Sequence, residues 1–130
     1  MRKIHLWAGG AGVIAFLITG QILLHHQPPL SDMSDPLRLM HRSRHIYILA
    51  SGLVNLMLGL YMERRVAGWR LVVQATGSCL AIASIGLLIL AFAVEPDGGF
   101  QPDMWRSGLG LQALFAGCMA HLLSYEHKSD

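Results

Sequence analysis

Seven histidines in a chain of 130 residues are the side chains best suited to chemistry, because imidazole binds metals and exchanges protons near neutral pH. His5 and His121 stand near opposite ends of the chain. On a helix, glycines four, seven or eleven residues away share a face with each of them. A smooth face beside an imidazole suits b-type haem, whose iron takes axial ligands from two helices. We therefore consider His5 and His121 as haem b ligands, on condition that their helices are adjacent.

A second group of histidines lies in the first half of the chain. His41 and His45 are four residues apart, which on a helix points two imidazoles toward one ion. His26 can add a third ligand, so this group predicts a haem or metal site. Gly52 and Gly59, at seven-residue steps from His45, also form a smooth face. The alternative is that these histidines lie at a membrane interface, where water satisfies them.

The sequence lacks the established constellations of enzymes and of dedicated cofactor sites. It contains no Cys-x-x-Cys-His for covalent haem attachment and no His-Glu-x-x-His for a zinc protease. Its two cysteines, Cys79 and Cys118, are typical of packing residues in apolar helices. A net charge of +2 does not favour a nucleic-acid partner. These observations favour a non-catalytic protein whose candidate cofactors are haem b or a metal bound by histidine.

The distribution of charge indicates the elements that must position these histidines. Only 14% of the residues are charged and 53% are hydrophobic, whereas a water-exposed surface carries about 25–35% charged residues. Four stretches without Asp, Glu, Lys or Arg contain 21, 18, 24 and 19 residues. Because about 20 apolar residues cross a bilayer as a helix, each stretch predicts a transmembrane helix. We predict an all-α integral membrane protein, a single four-helix bundle over 1–130 with spans at 4–24, 36–62 (apolar over 45–62), 71–94 and 105–125.

The basic residues outside the apolar stretches predict the orientation in the bilayer. Six Lys and Arg residues lie on the side of the termini and four on the opposite side, and basic residues favour the cytoplasm. We therefore expect both termini in the cytoplasm, and in a bacterium we expect insertion into the inner membrane. At the start of the second helix, Arg38, His41, Arg42 and Arg44 predict a collar at the lipid headgroups.

Small and polar residues within the spans predict how the helices pack. Helices in lipid associate through small residues that let backbones approach closely. Such residues are most evident in the first, third and fourth helices, and our packing candidates are Gly12, Gly77, Gly110 and Gly117. Asn55 lies near the middle of its span, where we expect an interhelical hydrogen bond, with a substrate contact as the alternative. No carboxylate lies within a span, which disfavours proton-coupled transport.

Three functions are compatible with these patterns. The favoured hypothesis is a small inner-membrane protein without catalysis, an assembly or accessory subunit that associates with itself or with a membrane complex. The first alternative is an electron carrier with haem b on His5 and His121. The second alternative is a transporter or channel for a small solute, supported by Asn55 and the glutamines Gln21, Gln74 and Gln112.

Overall fold

The chain folds as a set of α-helices. The computed structural model describes residues 1–27, 29–62, 68–95 and 105–125. These residues form four α-helices and a short 3-10 turn at Leu30–Asp32, with no strand among them. The helices are α1 (Arg2–Leu24), α2 (Asp35–Tyr61), α3 (Trp69–Val94) and α4 (Trp105–Ser124). The all-helical prediction with four helices is therefore confirmed.

Proline and glycine mark the starts of two helices. Pro36 is the second residue of α2, where its missing N–H falls among the first-turn groups that have no intrahelical acceptor. Gly68 precedes α3 with a φ of 74°, a left-handed conformation that glycine adopts without a steric penalty. As a result, α2 begins well before its apolar part, and the basic residues at its start are helical.

Three of the helices are long and apolar enough to cross a membrane: α1, α3 and α4. Helix α2 has 27 residues, but its first half contains three arginines and two histidines, which lower its apolar character. Its apolar part over 45–62 is the span predicted from sequence. Three of the four predicted spans are thus supported by length and composition, while the crossing by α2 and membrane insertion itself stay predictions.

The helices pack in two pairs. Helix α1 lies along α2, α3 lies along α4, and the α2–α3 contact joins the pairs. Helix α1 also touches α3, but α1 and α4 do not pack side by side. The adjacency of the first and fourth helices, which was the condition for haem binding by His5 and His121, is therefore not met along most of their length. They meet at the end where the chain termini lie, through the rings of His5 and His121.

Glycines form the closest contacts within each pair. A Cβ on Gly12 of α1 would lie 2.9 Å from the Cα of Gly52 in α2. A Cβ on Gly117 of α4 would lie 2.9 Å from the backbone nitrogen of Ala81 in α3. Gly59 likewise receives Leu6 of α1, so α2 also has a close-packing face, formed by the glycines at seven-residue steps from His45. Small residues therefore let the two helix backbones within each pair approach closely.

Candidate functional site

The end of the bundle near the chain termini contains a buried hydrogen-bond network centred on Asn55. Its amide nitrogen donates to the carbonyl oxygens of Ser51, at 2.9 Å, and Ala81, at 2.8 Å. These two acceptors orient the amide, so its oxygen faces His5, whose Nδ1 is 2.8 Å away. Because an amide oxygen only accepts, Nδ1 of His5 must carry the hydrogen. The network thus selects one tautomer of His5.

That tautomer leaves the other ring nitrogen of His5 as a lone-pair donor. The side chain is 0% exposed, and its Nε2 has no hydrogen-bond partner in the described part of the chain. The ring of His121 lies 5.9 Å away, centroid to centroid, at an interplanar angle of 70°. The structure therefore brings together the two histidines that sequence spacing singled out at the termini.

The hydroxyl of Ser78 lies near one histidine of this pair, His121, and near two thioethers. Its hydroxyl lies 3.3 Å from Nε2 of His121 and 3.9 Å from the sulfurs of Met1 and Met62. A hydroxyl has one hydrogen to donate, so it cannot serve both sulfurs and a ring nitrogen together. We refer to His5, Asn55, Ser78, His121, Met1 and Met62 as the terminus cluster. Sequence reasoning missed the methionines, because Met1 and Met62 look like ordinary apolar residues at the ends of spans.

The glycine faces beside these histidines are filled by neighbouring helices. A Cβ on Gly9, one turn from His5, would meet the backbone of Leu56 at 2.6 Å. Gly117, one turn from His121, is closed by the backbone of Ala81 and Gly77, and Gly110 by Leu88. A porphyrin needs an open flat space, and these glycines instead allow helix packing. The smooth faces expected to accept haem are therefore occupied by protein.

The histidines at the opposite end do not converge as their spacing predicted. The ring of His45 stacks on Phe16, with centroids 4.0 Å apart, and its Nδ1 lies 2.9 Å from the hydroxyl of Thr19. His41 is buried and instead faces His26, at a centroid distance of 5.3 Å. Across the described ranges, no group of three His, Cys, Asp or Glu side chains could hold a metal. A shared site for His26, His41 and His45 is therefore not formed.

A buried ion pair at this end joins three helices. Nε of Arg44 in α2 lies 3.3 Å from a carboxylate oxygen of Glu95, at the end of α3. The other oxygen of Glu95 accepts a 2.8 Å hydrogen bond from the backbone N–H of Ser107 in α4, whose hydroxyl also donates to the carboxylate. The two charged side chains are 2% and 0% exposed. We call Arg44, Glu95 and Ser107 the loop cluster.

The basic residues at the start of α2 do not all face the lipid headgroups, as the predicted collar required. Arg44 and His41 are buried, whereas Arg42 is exposed. Helical spacing contained the signal, since Arg44 precedes Ile48, Ser51 and Asn55 by four, seven and eleven residues, on the buried face. Glu95 directly follows the uncharged stretch 71–94, so the sequence alone places it in the connection to the fourth helix. Only the packing of α3 against α2 places it opposite Arg44.

The two clusters are separated by an apolar layer. Between Ser51 and Arg44 on α2 lies Ile48, which is 0% exposed, and between Ser84 and Glu95 on α3 lies Leu88, which is 1% exposed. The hydroxyls of Ser51 and Ser84 pair at 2.6 Å. Apolar side chains thus lie between the paired serines and the loop cluster.

A groove of about 630 Å³ lies between α2 and α4 and reaches from Tyr125 to Leu53. Met62 and His121 of the terminus cluster lie in its wall. Asn55 does not line it, because its amide is held within the bundle. Of the glutamines considered for transport, Gln21 and Gln112 are exposed on the outside and Gln74 is buried in the groove wall.

Comparison with protein families, curated proteins and solved structures finds no match to this chain.

Proposed function

We propose that this chain is a small polytopic protein of a bacterial inner membrane that acts without catalysis, as an assembly subunit associating with a second copy of itself. The observation that carries the proposal is a second small-residue face on α3. Cys79, Ala83 and Gly86 are all exposed and share one side of the helix. Gly86 has no atom of the chain within 4 Å of where its Cβ would lie.

The buried face of α3 also contains small residues, which supports a packing role for its exposed small-residue face. There, Gly77 and Ala81 allow backbone contact with Gly117 of α4. Small residues promote helix association in lipid because apolar side chains gain little from leaving lipid tails. A face of this type on one helix can pack against its own copy across a two-fold axis. We therefore assign the uncovered face to contact between copies.

Exposed apolar side chains support insertion in the bilayer, including the crossing by α2, where Met57 is 59% exposed and Leu60 54%. Trp7 is 81% exposed, Leu24 76% and Phe115 68%, so these side chains lie on the outer surface of the helical bundle. Apolar surface of this extent is stable in lipid rather than in water. The excess of basic residues on the side of the termini supports a cytoplasmic location for both ends.

Cross-linking of Cys79 tests the self-association. In a Cys118→Ser background, Cys79 is the single cysteine, so an oxidant added to native membranes should give a covalent dimer. We expect Gly86→Leu to reduce the dimer yield strongly, because a large side chain separates the two α3 backbones. Gly10→Leu is the matched control, since Gly10 on α1 also has no neighbour within 4 Å. A monomer in the Cys118→Ser background, or equal dimer yields for both leucine variants, would refute the proposal.

The electron carrier with haem b remains a second candidate. The approach of His5 and His121 to 5.9 Å favours it, because their rings come from different helices. The packing of the neighbouring glycines opposes it, because the two helix pairs would have to separate to admit a macrocycle. For this reason we rank it below self-association.

A further inference from the structure

We propose that the terminus cluster is a binding site for Cu(I), with Nε2 of His5, the imidazole of His121 and the sulfurs of Met1 and Met62 as its ligands. The inference goes beyond the assembly role and does not depend on it. It rests on the edge contact between the rings of His5 and His121, and on the two sulfurs that lie 3.9 Å from the Ser78 hydroxyl, itself 3.3 Å from Nε2 of His121.

The first argument is the state of His5. Its Nδ1–H is donated to Asn55, which is itself held by two carbonyl groups. Histidines that bind metals characteristically donate the other ring N–H to a polar partner, which sets the tautomer and the direction of the lone pair. The remaining nitrogen, Nε2, is buried and without a hydrogen-bond partner among the described residues. An unpaired buried acceptor is costly unless something binds it.

The second argument is the number of lone pairs around Ser78. The hydroxyl approaches a ring nitrogen and two thioether sulfurs but has one hydrogen to share. At any moment at least one sulfur beside it has no donor from this hydroxyl. A cation placed among these atoms would engage several of them together.

The identity of the ion follows from the chemistry of the donors. Thioether sulfur is a soft ligand that selects Cu(I), and imidazole also binds copper, whereas Mg²⁺ and Ca²⁺ require oxygen. All four donors are neutral. Because net charge within a membrane is costly, a monovalent ion suits a neutral ligand set better than a divalent one.

The third argument is access. Met62 and His121 belong both to the cluster and to the wall of the groove between α2 and α4. A metal site needs an entry path as well as ligands. The groove supplies that path without the separation of helix pairs that a porphyrin requires.

A competition titration with Cu(I) tests the site. The full chain is purified in detergent and titrated anaerobically, under reducing conditions, against a coloured Cu(I) chelator. We expect one Cu(I) per chain, and an affinity at least about tenfold lower in Met62→Leu and in His121→Gln. Met62→Leu conserves side-chain volume, so the fold should persist, which an unchanged helical circular dichroism spectrum would verify.

Two substitutions outside the cluster serve as matched controls. Met119→Leu removes an exposed methionine of α4, and His25→Gln removes an exposed histidine after α1. Both should bind Cu(I) as the unmodified chain does. X-ray absorption of the copper complex should show nitrogen and sulfur neighbours, with fewer sulfurs in Met62→Leu.

Three results would overturn the proposal. The first is no stoichiometric Cu(I) binding, and the second is unchanged affinity in both cluster variants. The third is a Soret band in the purified protein that disappears in His121→Gln, which would place haem b on these histidines instead. Cu(I) itself gives no such band, so one absorption spectrum separates the two ligands.

Discussion

Arg44 and Glu95 form an ion pair whose side chains are 2% and 0% exposed. Each charge is costly to bury, and the pair is tolerated because the carboxylate also accepts two hydrogen bonds from Ser107. Arg44 further donates to the carbonyl oxygen of Glu95, at 3.2 Å. The side chain of Glu95, at the end of α3, thereby connects Arg44 of α2 with Ser107 at the start of α4.

Replacing Glu95 with Gln should destabilise the protein strongly. The guanidinium of Arg44 would stay buried while the negative charge facing it is lost, a change that typically costs about 3–5 kcal/mol. Unfolding in detergent, followed by circular dichroism, measures the loss. Asp35→Asn is the control, because that carboxylate is 86% exposed in its pair with Arg38 and should matter little. Equal stability of Glu95→Gln and the unmodified chain would show that the pair does not hold the helices together.

At the scale of helices, glycines determine which elements pair. Gly12 and Gly52 bring α1 to α2, and Gly117 with Gly77 brings α3 to α4. These contacts lie within one chain. Substitution of Gly12 or Gly117 should therefore disturb the bundle itself, rather than only its association with a partner.

Gly117→Leu should weaken the α3–α4 pair. A side chain there would meet the backbone nitrogen of Ala81 and the carbonyl of Gly77, each at 2.9 Å, and backbone cannot move aside cheaply. Overpacking of this kind costs about 1–3 kcal/mol or more. Gly108→Leu, on the same helix, meets nothing within 4 Å and should retain the stability of the unmodified chain. Thermal unfolding of both variants in detergent makes the comparison, and equal midpoints would contradict the assigned contact.

The sequence predicted the four helices better than it predicted the contacts between them. The absence of charge over about 20 residues is a local property, so four helices could be predicted along the chain. The sequence raised His5 and His121 as a pair only on the condition that α1 and α4 are adjacent, and the structure brings these helices together only at the end near the chain termini. Glycine spacing was ambiguous, because a smooth face suits a helix as well as a macrocycle.

At the scale of the whole molecule, the path of the chain through the bilayer depends on α2. Its apolar part is shorter than those of the other helices and begins beside the buried Arg44. The loop cluster shields that charge within the bundle, which supports a crossing despite the arginine. The proposed topology then puts Asp32 and Gly68 on opposite sides of the membrane.

Reporter fusions after Asp32 and after Gly68 test this topology. An alkaline phosphatase reporter, active only outside the cytoplasm, should be active when fused after Asp32 and inactive when fused after Gly68. A cytoplasm-dependent fluorescent reporter at the same two positions should give the reverse pattern. The same activity at both positions would mean that α2 does not cross, and the four-span prediction would be wrong.

The distribution of charged residues along the sequence predicts the helices and, for most of them, a length that matches a bilayer, because helix formation and lipid solubility depend on residues close in sequence. The partners of its polar groups depend on the fold. His5 and Asn55, which share a hydrogen bond, are 50 residues apart in the sequence. Arg44 and Glu95, whose carbonyl oxygen accepts from the guanidinium of Arg44, are 51 residues apart. Such pairs form only when α2 packs against its neighbours. Local patterns cannot specify which buried faces meet, so the clusters at the two ends of the bundle arise from tertiary packing.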